Sequence, residues 1–166
     1  MNRNQFLSTL GSGGLIMATA PLLSFKNQEE VQLDKKIVQT FVGASHNDMA
    51  KVMELLEEHP TLLNAAHDWG KGDFETGLGA ASHVGFKELV RFLLDQGAQA
   101  NIFTACLFGR IDIVQPMLTA FPNTLHAKGP HGYTLLHHAE LGGDGASAVK
   151  EYLISLGAKK TIVALF

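Results

Sequence analysis

Cysteine is nearly absent: Cys106 is the single one in 166 residues, so no disulfide forms within the chain and the fold rests on packing. Charged residues make up only 17% and sum to a net charge of −3, which leaves no basic surface for a phosphate backbone; no nucleic-acid partner is expected. Catalytic signatures are missing too, with neither G-x-S-x-G nor a P-loop present. No histidine pair has the H-x-x-x-H spacing that sets two imidazoles on one helical face, and H-E-x-x-H does not occur. The expectation is a protein that is not an enzyme and carries neither cofactor nor metal. The apolar run from Leu7 to Leu23 is broken by Ser8, Thr9, Gly11, Ser12, Gly13 and Gly14. It falls short of the roughly 20 apolar residues a membrane helix needs, so no stable span is expected.

What the chain does have is 46% apolar residues, 17 glycines and 8 histidines, which argues for one folded domain of unusual construction. Residues 1–25 stand apart. They contain no acidic side chain, Arg3 precedes the apolar stretch, and Ala18-Thr19-Ala20 has the A-x-A form read by a signal peptidase. The segment resembles a bacterial export signal, and Arg3-Asn4-Gln5-Phe6-Leu7 is similar to a twin-arginine core with Asn4 in place of the second arginine. This resemblance implies a periplasmic or otherwise exported protein. Pro21 directly after the cleavage motif would hinder removal and leave the segment as an anchor. Residues 26–33 then read as a linker.

From Asp34 the sequence repeats itself. Leu55-Leu56, Leu93-Leu94, Met117-Leu118 and Leu153-Ile154 end four apolar patterns of helical spacing, and Val52, Val90 and Val114 precede three of them at one offset. Each block places a small residue before a turn position: Ala44 and Asn47, Ala81 and Gly85, Ala105 and Gly109, Ala139 and Gly143. A short helix, a tight turn and a second helix are expected in each of four units over residues 34–160.

Two blocks carry a sharper signature. Thr134-Leu135-Leu136-His137-His138-Ala139 matches T-P-L-H-x-A except for leucine at the proline position. Asp73 to Asn101 follows the same pattern from its threonine to a closing G-A-x-x-N, with Gly77 and Gly79 replacing proline and histidine. The chain resembles the ankyrin repeat family. The resemblance implies an all-α solenoid of about four irregular helix-turn-helix units with short finger loops, and protein binding through the concave inner helices and the fingers. The leucine pairs lie 38, 24 and 36 residues apart. This places an enlarged finger at Ala65 to Glu75, leaves almost none between the second and third units, and puts an Asp144-Gly145 insertion in the last inter-helix turn. The apolar tail, residues 161–166, is expected to cover the last unit.

The partner-binding residues expected on this basis are Trp69 and Phe74 on the long finger, His46, His83, Val84 and His138 on the inner helices, and Leu107, Phe108 and Leu141. The last three are apolar where solvent would be expected, and with the two aromatics they would line one groove. His137, at the signature histidine, is assigned a structural hydrogen bond, and Cys106 is read as a buried filler with an inert thiol. The alternative function is small-molecule or metal binding in a histidine-rich groove. Against it, neighbouring repeats stack about 10 Å apart, too wide for shared ligation.

Overall fold

The computed structural model describes residues 32–166, which are mostly helical. The segment 1–25, read from sequence as an export signal, and all but the end of 26–33, read as a linker, lie outside them.

Among the described residues eight α-helices follow one another in pairs: α1 (Lys35–Ala44) with α2 (Met49–Glu58), α3 (Gly77–His83) with α4 (Lys87–Asp95), α5 (Ile102–Leu107) with α6 (Ile111–Ala120), and α7 (Leu135–Gly142) with α8 (Ser147–Ser155). The first helices of the pairs touch in succession, α1 against α3, α3 against α5, and α5 against α7. A two-stranded antiparallel hairpin, β1 (Ala66–Asp68) and β2 (Phe74–Thr76), precedes α3, with His67 opposite Glu75. It occupies the place where the spacing predicts an enlarged finger.

Local sequence accounts for the helix ends. The Asp34 carboxylate accepts from the Lys36 and Ile37 N–H groups and starts α1; Asp48, Thr76, Asn101 and Thr134 cap α2, α3, α5 and α7 in the same way. Helix α1 buries Val38, Phe41 and Val42, an i, i+3, i+4 stripe. The similar exits H-P-T-L-L-N and F-P-N-T-L-H both form 3-10 turns, Pro60–Asn64 and Pro122–His126. Gly77, which replaces the expected proline, opens α3 where a Cβ would strike the Phe41 ring and the Ser45 hydroxyl, so glycine lets α3 close onto α1.

Two apolar clusters make the core, one around Phe41, Leu62, Leu89 and Leu93, the other around Ile102, Val114, Leu135 and Leu153. Leu107 belongs to the first although its helix neighbours belong to the second, so α5 is the seam between them. The insertion in the last turn forms a 3-10 turn, Gly143–Ala146. The tail runs back beside the loop before α7: Tyr133 bridges Ile162, the Val163 N–H donates to the Gly132 carbonyl, and the Lys128 ammonium donates to the Ala164 carbonyl. Phe166 remains exposed.

Candidate polar centre at the ends of the inner helices

Four segments distant in sequence deliver polar side chains to one point. The hairpin supplies Glu75. Strand alternation turns its carboxylate inward, fully buried, while Phe74 turns to the opposite face and is 60% exposed. Helix α3 ends on His83, also buried, and the turn after α1 supplies the half-buried His46. The fourth side chain is His131, in the loop before α7.

His131 has a left-handed backbone, φ 57°, which costs a non-glycine residue of order 1 kcal/mol or more. It is held there by Asp73: the His131 N–H donates to Asp73 Oδ1 at 2.9 Å, and Nδ1 lies 2.7 Å from Oδ2. Because a carboxylate only accepts, His131 Nδ1 carries the proton and Nε2 is left facing Glu75 Oε2 at 3.4 Å. His46 is set similarly. Its Nδ1 lies 3.1 Å from the Val42 and Gly43 carbonyls, so it too is the donor, and Nε2 faces Glu75 Oε2 at 3.5 Å. The same Oε2 accepts the Trp69 indole N–H at 2.7 Å.

Glu75 Oε1 is 2.9 Å from His83 Nδ1, but the alignment is wrong for a hydrogen bond, and both buried atoms are without one. Burial pushes the Glu75 carboxyl up. The neighbouring His83, through its polar contact and its charge when protonated, together with the Trp69 N–H and His46 when protonated, outweighs burial and holds the group below the usual carboxylate range. Aromatic stacking fixes the back of the site: Tyr133 stacks on His83 at 4.9 Å and on His137 at 4.1 Å between ring centroids. His137 Nε2 donates to the His83 carbonyl at 2.8 Å, so its structural bond goes to the end of α3.

Of the residues singled out by sequence, the structure brings His46, His83 and Trp69 together. The expected spacing between neighbouring units does not keep the histidines apart, since the His46 and His83 rings, reaching from the ends of α1 and α3, approach to 5.0 Å. Val84 and Leu141 are exposed nearby, Leu141 lying where a Cβ on Gly85 would touch it. The single groove is not formed. Phe74 points away from Trp69, Leu107 is fully buried in the core seam, and His138 is 1% exposed, its Nδ1 donating to the Thr134 carbonyl beside the Phe103 ring. Phe108 is half-buried under the Arg91 guanidinium on the other side of the pairs, in an apolar groove of about 520 Å³ shared with Leu94, Ile102, Ile113 and Met117.

Glu75, His131, Asp73 and Tyr133 were not foreseen as site residues. Two of them, Glu75 and Tyr133, directly precede the capping threonines Thr76 and Thr134, and that shared position was the available signal. No family model and no curated protein matches the chain.

Proposed function

We propose that the protein is a repeat-built binding scaffold of the ankyrin kind, without catalysis of its own, that recognises another protein across the ends of its inner helices. The succession of α1, α3, α5 and α7, each followed by a partner helix, supports the repeat reading. The observation that carries the binding reading is a row of exposed apolar side chains around the polar centre. Trp69 packs on His46, His46 on His83, Val84 follows in the chain, and Leu141 lies against Gly85. Trp69, Val84 and Leu141 are each about 40% exposed, and a fixed aromatic beside aliphatic anchors is the composition of an interface centre. Among the described residues no helix is long and apolar enough to cross a membrane. The A-x-A motif Ala18-Thr19-Ala20 supports an exported location.

A photo-cross-linking residue placed at Val84 in the full-length protein, with the exposed Ile154 of α8 as control, tests the reading in cells. One discrete protein adduct at Val84, lost when Leu141 is changed to Asp, is expected. No adduct, or the same adducts from both positions, contradicts it. Fractionation of the same cells tests export, which a wholly cytoplasmic product would contradict. A second reading, binding of an apolar small molecule, is favoured by the groove at Phe108, whose volume is within the range of ligand pockets.

A further inference from the structure

Three imidazole nitrogens and one carboxylate converge so that their donor atoms all lie within 4.8 Å of one another. We propose that His46 Nε2, His83 Nδ1, His131 Nε2 and the Glu75 carboxylate bind one divalent first-row transition ion with the ligand preference of zinc. The proposal stands independently of any protein partner.

The first argument is the tautomers. His46 and His131 each commit Nδ1–H to an acceptor that has no proton to give, the Val42 and Gly43 carbonyls and the Asp73 carboxylate. Their Nε2 lone pairs are thereby aimed at the centre. An imidazole tied through its second nitrogen to a carboxylate or backbone carbonyl is the support that metal-ligating histidines have.

The second argument is distance. If His46 and His131 were cations paired with Glu75, charge-assisted bonds of about 2.7–2.9 Å would be expected from their Nε2 atoms. The Nε2 atoms instead stand off at 3.5 and 3.4 Å. Those spacings are close to the edge of a zinc tetrahedron, about 3.3–3.4 Å for bonds of about 2.0–2.1 Å. The widest donor pair must close by roughly 1.4 Å to reach that edge, within the reach of rotation of a half-exposed ring.

The third is the orphaned pair. Glu75 Oε1 and His83 Nδ1 lie buried 2.9 Å apart without a hydrogen bond to each other or to any other group, an unfavourable arrangement unless something else satisfies them. A cation satisfies both at once. Trp69 takes one lone pair of Oε2, so Oε1 and the second lone pair of Oε2 are left to face the ring nitrogens. The side chains of His46 and His131, 25% and 31% exposed, are the route by which an ion arrives from solvent. A donor set of three nitrogens and one oxygen favours zinc-class ions over magnesium, which takes oxygen ligands.

Full-length protein stripped with chelator is titrated with Zn²⁺ alone, followed by calorimetry and by the emission of Trp69, the single tryptophan. One saturable equivalent, a change in Trp69 emission and a raised Tm are expected, with Mg²⁺ silent. His131→Ala and Glu75→Gln should abolish saturable binding. Asp73→Asn should weaken it roughly 10–100-fold, while His126→Ala, at an exposed site elsewhere, leaves it unchanged. Should Glu75→Gln fail to fold, His131→Ala at its half-exposed loop position carries the test. Zn²⁺ uptake that does not saturate, or that is equal in His131→Ala and the unaltered protein, overturns the proposal.

Discussion

The indole N–H of Trp69 donates to the buried carboxylate of Glu75 at 2.7 Å, tying the tip of the hairpin to its own second strand and orienting the carboxylate. A hydrogen bond to a charged group contributes about 1.5–3 kcal/mol, and removing one partner leaves the other unsatisfied. Trp69→Phe should therefore destabilise the fold by about 2 kcal/mol in urea unfolding, although Trp69 is 39% exposed. A change below about 0.5 kcal/mol, the usual effect of a surface substitution, would show that the bond does not hold in solution.

His138 gives a pH dependence of definite sign. Burial pulls its pKa down to about 4, against 6.5 for the free side chain, and the Thr134 carbonyl only partly offsets this. Between those values the unfolded chain binds more protons than the folded one, so stability falls as the pH drops. The loss is absent above pH 6.5 and complete near pH 4, where it reaches about 3 kcal/mol. Denaturation midpoints measured from pH 7 to pH 4 should show it. His138→Leu should remove that part of the slope, and an unchanged slope would contradict the burial of a neutral ring.

Cys106 is fully buried, and burial pushes its thiol up to about 12. The thiolate is the reactive form, so at pH 8 the folded protein should resist thiol reagents. Labelling should appear only as denaturant unfolds the chain. Rapid stoichiometric labelling without denaturant would place the thiol at the surface.

Two glycines of similar backbone conformation should differ in cost. Gly97, φ +94°, has open space where a Cβ would lie, so Gly97→Ala bears only the strain of the left-handed region, about 1 kcal/mol. Gly109, φ +65°, lies against the backbone of Gly145, and a Cβ there would overlap its carbonyl oxygen. Gly109→Ala must also displace the 3-10 turn between α7 and α8, and a loss of about 3 kcal/mol or more is expected. Equal losses would contradict the close contact between the two turns.

The helix pairs were readable because their cause is local: capping side chains such as Thr76 and Thr134, apolar residues at helical spacing, and glycine at turns such as Gly85 and Gly109. The long finger was legible from spacing, and its hairpin then follows from an inward Glu75 opposite His67. The site was legible only in part. His46, His83 and Trp69 could be named, but a search for histidines at helical spacing misses a centre whose members are 29, 8 and 48 residues apart in the order His46, Glu75, His83, His131. Burial was also beyond the pattern. Leu107 and His138 are both expected from sequence at the groove, yet both face the core because α5 and α7 pack closely.

The central claim, that ring nitrogens of separate segments aim lone pairs at one point beside the Glu75 carboxylate, is tested most directly by the imidazole nitrogen shifts of metal-free protein at pH 8. His46 and His131 should each show a protonated Nδ1 and a bare, pyridine-type Nε2. Protonated Nε2 atoms on both rings would contradict the account.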